Sequence, residues 1–323
     1  MSAIQAMPIQ GGISLSQLDV RFEVPGIESK RVFANGRMQV RVWVFVEAVD
    51  ESGAPVPLAY FPDLISTRLI RYHDAEPLAR DAYNGHPLPG WNSSFIENRY
   101  THEMPGFVQS PGGGGSAGTP MEFWVSSSVE GQLQIAAEVT IQGQVYRSNK
   151  TINPNGSRIN RSVVITADRS PAYSHDQFTW KSQKLLGSFK GYNFFKYDLG
   201  LYPGGRQVRL LEWKTSQYGE SGIRPVKFCY TGLILSHPVP RSFTGVMASV
   251  GVKTVDLIGQ HLPVDCADGE LVAFKGVPPV YKYSPEEVRL EPFKFIVLDE
   301  FGNTHQLMLV IDIESSEFLL RRG

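Results

Sequence analysis

The residues able to do chemistry are scattered along this chain in spacings that assemble no familiar reactive centre. There are seven histidines, at positions His73, His86, His102, His175, His237, His261 and His305. None falls in a His-x-His or His-Glu-x-x-His pattern, which would put two imidazoles on one side of a zinc ion. His73-Asp74 and His175-Asp176 are adjacent pairs. Neighbours on a strand point to opposite faces, so neither pair is an acid–base couple by position alone. Gly114-Gly115-Ser116-Ala117-Gly118 spells Gly-x-Ser-x-Gly. A nucleophile elbow needs a strand before the serine and a helix after it. Here a glycine run precedes and Thr119-Pro120 follows.

Carboxylates occur in pairs as well. Asp265 with Asp268, and Glu286 with Glu287, could serve glycoside hydrolysis, but that chemistry depends on a spatial separation the sequence does not set. Asp50-Glu51 and Asp299-Glu300 offer oxygen ligands without the spacing of a calcium loop, and hairpin turn chemistry accounts for both. The expectation is no catalytic residue, no metal ligand set and no cofactor, hence a protein that is not an enzyme.

Aromatic side chains are the stronger candidates. Phe189, Tyr192, Phe194, Phe195, Tyr197 and Tyr202 are interleaved with Lys190, Asn193 and Lys196. Such a cluster either stacks on sugars or a partner surface, or fills the core beneath a strand. The surface reading makes Tyr192, Phe195, Tyr197 and Tyr202 binding residues, with Trp91 and Tyr100 as a second binding loop.

These residues must be positioned by strands. Met38 to Glu47 alternates apolar side chains, with Val40, Val42, Val44 and Val46 on one face. Asp50-Glu51-Ser52-Gly53-Ala54-Pro55 then reverses the chain. The opposite face carries Arg41, Trp43, Phe45 and Glu47, so Trp43 and Phe45 are expected to meet a second sheet, another domain or a neighbouring subunit. Leu133, Ile135, Ala137, Val139 and Ile141 alternate with Gln132, Gln134, Glu138, Thr140 and Gln142, the pattern of a half-solvated antiparallel strand. Gln142-Gly143-Gln144 turns it into a hairpin, and 162–166 is the next strand.

Residues 1–20 read as an N-terminal arm and 60–120 as inserted loops. Within the latter, 74–83 reads as a short helix capped by Asp74, and 110–118 as a flexible glycine-rich loop. The second half offers strands at 193–197, 207–213, 226–230, 233–235, 271–274, 293–298 and 306–313, and a helical turn at 284–287. The fold expected is all-β: an arm over 1–20, a β-sandwich over 21–168 carrying the 60–120 loops, and a second β-rich antiparallel domain over 169–323.

Bulk composition narrows the partners. A net charge of −1 and a pI near 6.7 lack the positive excess that nonspecific nucleic-acid or anionic-membrane binding requires. No run reaches the ~18–20 apolar residues of a membrane helix. The N-terminus shows no secretory pattern, so synthesis in a cytoplasm is expected. Two cysteines, Cys229 and Cys266, do not make a disulfide framework.

Asp50-Glu51-Ser52-Gly53-Ala54-Pro55-Val56, Phe123-Trp124-Val125-Ser126-Ser127-Ser128, Gly131 and Ile135-Ala136-Ala137-Glu138-Val139 follow one another in a familiar order. Over 35–168 the chain resembles the bacterial immunoglobulin-like modules of invasin-type surface proteins. The resemblance implies a β-sandwich serving as a spacer or adhesive module. The leading functional expectation is a non-enzymatic structural or attachment component of a particle assembled in a bacterial cytosol, such as a phage virion or phage-tail-like device. Its partners would be other protein subunits in a homo- or hetero-oligomer. A carbohydrate-binding or carbohydrate-cleaving protein, with a glycan as partner, is the alternative, and a soluble toxin that assembles on membranes is a third.

Overall fold

A computed structural model of the chain describes residues 12–58, 65–80, 87–104, 120–189, 191–216, 226–232, 241–277, 292–312, 315 and 317–323. For 226–232 and 241–244, and for Leu186, Ser188 and Phe189, it describes the backbone alone. The glycine-rich segment 110–118, the strand expected at 233–235 and the turn at 284–287 lie outside the described residues. As the period-two spacing predicts, the protein is all-β: the described chain is mostly antiparallel strand. It divides into two units, Met1–Ser170 and Pro171–Gly323.

The first unit contains β1 (Ser14–Arg21), β2 (Ser29–Phe33), β3 (Val40–Val49), β4 (Pro55–Val56), β5 (Ile65–Arg71), β6 (Ala79–Arg80), β7 (Trp91–Ser94) and β8 (Met121–Ser127). These are followed by β9 (Gly131–Ile141), β10 (Gln144–Arg147), β11 (Asn149–Ile152), β12 (Arg158–Asn160) and β13 (Val163–Asp168). One sheet runs β1-β3-β8-β7-β6, with β4 on β3; the other runs β10-β9-β13-β2, with β5 on β9. Val40 and Val42 lie opposite Val125 and Phe123 and are buried with them, as alternation on β3 demands. Ile135, Ala137, Val139 and Ile141 of β9 are buried too. Each of these valine, isoleucine and phenylalanine side chains contributes about 1.5–3 kcal/mol by leaving water. The β9–β10 hairpin closes through Gln142 (φ 47°) and Gly143 (φ 79°), both left-handed, the geometry that matches strand twist in a two-residue turn.

Four expectations are corrected here. The N-terminal arm is in part a strand, because β1 pairs along β3 from Ser14↔Val49 to Arg21↔Trp43. Its apolar phase hides it: Ile13 and Leu15 are buried at odd positions, Leu18, Val20 and Phe22 at even ones, and a bulge between Leu15 and Gln17 switches the two. The span 60–120 holds β5, β6 and β7. The helix expected over 74–83 is not formed in its described part. Asp74 Oδ1 accepts the Glu76 N–H, Ala75 is left-handed at φ 60°, and Pro77 bridges to Ile70 in extended backbone. Lastly, β9 is not half-solvated, since Ala136 and Glu138 on its polar face are buried as well.

The second unit contains β14 (Phe178–Phe189), β15 (Tyr192–Leu201), β16 (Leu210–Lys214), β17 (Val226–Gly232), β18 (Arg241–Met247), β19 (Thr254–Leu257) and β20 (Gln260–Pro263). β21 (Leu271–Val277), β22 (Phe293–Asp299), β23 (Thr304–Asp312) and β24 (Glu317–Arg322) complete it. One sheet runs β14-β15-β21-β18-β17 and another β16-β22-β23-β24. A core of Phe194, Val246, Ala248, Val255, Leu257, Leu262, Val272 and Phe274 packs the first sheet against the β19–β20 hairpin. Trp213, fully buried, donates its Nε1–H to the Ala248 carbonyl at 2.8 Å and meets Phe293 edge-on.

One turn device occurs in both units. Asp50 N–H donates to Ala54 O and Gly53 N–H to Asp50 O; Asp299 N–H donates to Asn303 O and Gly302 N–H to Asp299 O. Gly53 (φ 82°) and Gly302 (φ 81°) take the left-handed position. Each aspartate folds its Oδ1 back onto the loop N–H groups, as hairpin turn chemistry requires.

Candidate functional site

A concavity of the first unit lies where β5 and β9 of one sheet approach β6, β7 and β8 of the other. It encloses about 720 Å³. One wall is built by Ile65 to Arg68, Glu138 and Thr140. The facing wall is built by Arg80, Ser93, Phe95, Met121 and Phe123. Register explains the first wall: Arg68 sits opposite Glu138 and Ser66 opposite Thr140, so cross-strand partners project together.

Glu138 is 4 % exposed and serves two arginines. Its Oε1 accepts from Arg68 Nε at 2.7 Å and its Oε2 from Arg147 Nε at 2.7 Å. A buried carboxylate without such donors would be driven to protonate. Replacing Glu138 with Gln leaves one oxygen for two guanidiniums. The expected cost is about 2 kcal/mol of first-unit stability, read by urea denaturation; a change under about 0.5 kcal/mol would sink the assignment.

The facing wall is apolar and open. Phe95 is 50 % exposed, packs against Phe123 at 4.8 Å between ring centres, and carries the Arg80 guanidinium over its face at 4.4 Å. Ile96, next to it, is 52 % exposed. Neither side chain belongs to an alternating run, so period-two reading passes over them. The only hint in the sequence is an apolar pair directly after the small polar residues Asn92-Ser93-Ser94.

The residues expected to form an aromatic surface separate. Tyr197 is 1 % exposed, stacked on Trp180 at 4.9 Å, and Tyr100 is buried too, so both are packing residues rather than binding ones. Alternation along β15 puts Tyr197 inward, while Tyr192, Phe195 and Tyr202 are half-buried. Tyr192 packs on Phe194, and the Tyr202 hydroxyl donates to Glu270 Oε1 at 2.8 Å. The Phe189 side chain and Lys190 lie outside the described residues. Trp91 is half-buried at the start of β7. Phe45 is buried, covered within its own sheet by Arg21, whose guanidinium stands 4.0 Å over the ring. Trp43 stays half-buried, with Arg41 over its ring and a buried indole N–H that lacks a hydrogen-bond partner among the described residues.

The second unit buries two polar clusters. Asp299, fully buried, holds His305 Nε2 at 3.0 Å and the Asn303 amide at 3.1 Å. The Tyr173 ring lies tilted beside His305, and its phenol is pushed up to about 12 by burial, then by Asp299 and Glu300. Lys275, 1 % exposed, sets Nζ 3.1 Å from Glu317 Oε2 and 4.4 Å from the Phe195 ring centre. Burial pulls its ammonium below the ordinary lysine range. The Tyr197 hydroxyl donates to the same Glu317 oxygen; burial first, then that bond, pushes the phenol up.

A smaller hollow of about 430 Å³ is lined by Arg209, Ser249, Asp265, Cys266, Asp268 and Glu270. Arg209 is neutralised by Asp268 at 2.8 Å, and Cys266 is a free thiol pushed up by desolvation and then by Asp198. No group of three or more metal-ligating side chains gathers among the described residues. No helix among them is long and apolar enough to cross a membrane. No protein-family model matches the chain, and no curated protein matches it.

Proposed function

We propose that this chain is a non-enzymatic structural or attachment subunit of a particle assembled in a bacterial cytosol, such as a phage virion or phage-tail-like device. In this reading the cleft of the first unit receives a neighbouring subunit. The observation that carries it is Phe95. A half-exposed phenylalanine on the wall of an open cleft, beside an exposed isoleucine, is apolar surface that its packing on Phe123 and Arg80 leaves uncovered. The polar chemistry supports the same reading. Glu138, Asp299 and Glu317 each hold their own fold together. The likeness of 35–168 to adhesive immunoglobulin-like modules points the same way, as an analogy of fold.

The test is a photo-crosslinking residue at position 95 of the full chain, expressed in its source cells. The chain is expected in gradient fractions of particle mass, crosslinked to a second polypeptide. A chain that stays at its monomer mass at every concentration, with no crosslinked product, overturns the proposal.

A further inference from the structure

The cleft has a property that its apolar wall does not explain: one of its rims is the edge of a sheet. Among the described residues, β9 is the one strand that β5 pairs with, on one side. On an antiparallel edge, every second residue turns its N–H and C=O outward. Leu69 and Arg71 do so: Leu69 O accepts the Leu78 N–H at 3.0 Å, and Arg71 N–H donates to Glu76 O at 2.8 Å. Thr67 is next on that edge and lines the cleft, and no strand among the described residues pairs with it there. Its hydroxyl is also buried without a hydrogen-bond partner among those residues. The rim therefore offers a donor, an acceptor and a hydroxyl in one place.

Charge says what would fill it. Two guanidiniums, on Arg68 and Arg80, line the cleft with one carboxylate, Glu138, and that carboxylate is already shared between Arg68 and Arg147, which pairs with it from β10. Arg80 lies over Phe95 and forms no ion pair with a described residue. A surplus of fixed positive charge in a part-enclosed cleft favours an anionic occupant.

We infer that the cleft binds an extended, acidic segment of a partner subunit that adds to β5 as a strand at Thr67. The segment sets a carboxylate against Arg80 and Arg68 and an apolar side chain on Phe95 and Phe123. This rests on the reading of the cleft as a docking site. Main-chain bonds along a sheet edge hold the segment, while the alternate side chains select it.

The test uses the full chain and three fluorescent eight-residue peptides, read by anisotropy. One alternates glutamate with valine and phenylalanine, one has lysine in place of glutamate, and one is the acidic peptide N-methylated at alternate amides. The acidic peptide is expected to bind, and each of the other two at least ~10-fold more weakly, about 1.4 kcal/mol. Thr67→Pro removes only the outward N–H, which an edge strand tolerates, and is expected to weaken the acidic peptide similarly. Should that variant fail to fold, the N-methylated peptide makes the same measurement on intact protein.

Equal binding of acidic and basic peptides, or indifference to N-methylation, overturns the inference. So does self-association of the chain that Phe95→Asp abolishes, which would make a second copy the occupant. If crosslinks from position 95 form while no acidic strand binds, the docking reading stands and this inference falls. If neither occurs, both fall.

Discussion

Replacing Asp299 with Ala is expected to lower the stability of the second unit by about 3–4 kcal/mol. The carboxylate is fully buried and sits at the centre of the β22–β23 turn. Its Oδ1 accepts the Phe301 and Asn303 N–H groups, each at 2.9 Å, and its Oδ2 accepts the Asn303 side-chain amide and His305 Nε2. Removing an acceptor from buried donors costs about 1–3 kcal/mol per donor, and these losses overlap because the donors share one turn. The same substitution at Asp50 performs the same deletion in a solvated turn, where water takes over from the carboxylate. Its effect is expected to be much smaller. Urea denaturation followed by hydrogen exchange of peptides spanning 293–312 separates the two cases. A loss at Asp299 no larger than at Asp50 would show that the buried carboxylate does not organise its hairpin.

The contrast between those aspartates shows what alternation and turn chemistry reveal. Asp-Glu-x-Gly at 50–53 and 299–302 is legible as a turn because its local hydrogen bonds need no distant partner. What differs is burial, and burial is set by residues far away in the chain, such as Tyr173 and Phe178 beside His305. The strands that read clearly, β3, β9, β22 and β23, carry an alternating apolar face that packs into the core, and in β9 the opposite face is buried as well. Those that did not read have an identifiable reason. β14 is a sheet edge whose residues Lys181 to Lys184 are exposed, so no apolar face marks it. β1 changes phase at a bulge. The candidate cleft was illegible for a related cause. Phe95 and Arg80 leave no periodic trace, and Glu138, on a face that reads as solvated, becomes a wall only when Arg68 and Arg147 close over it. The aromatic cluster at 189–202 illustrates the limit from the other side. Its composition suits a surface or a core equally, and only the direction of Tyr197 decides between them.

Taking away the Glu317 carboxylate by Glu317→Gln is expected to cost about 2–3 kcal/mol, whereas Lys275→Met is expected to be neutral or stabilising by about 1 kcal/mol. The asymmetry follows from where the charge lies. Lys275 is 1 % exposed, among Phe195, Tyr197 and Phe318, while the Glu317 side chain keeps 34 % of its surface in water. A buried ammonium carries a large desolvation penalty that the carboxylate offsets. Removing the carboxylate exposes that penalty, while removing the lysine removes it. A double variant should recover most of the Glu317→Gln loss, and a cycle summing to zero would refute the coupling.

The pH dependence follows from the same burial. Because the folded pKa of Lys275 lies below its ordinary 10.5, the unfolded chain binds more protons between those values. Stability contributed by this group therefore rises as pH climbs toward 10.5 and is lost as pH falls through the folded pKa. Tyr173 and Tyr197 act oppositely. Their phenols are raised from 10, so their contribution is full below pH 10 and fades above it, for Tyr173 as pH approaches about 12. Urea midpoints measured between pH 7 and 10 on the parent and on Lys275→Met compare two chains that share every other titrating group, including the Cys266 thiol whose raised pKa acts in the opposite sense, and there the substitution should make the slope of stability against pH less positive. A slope unchanged by that substitution would mean that Lys275 is no less protonated in the folded chain than in the unfolded one.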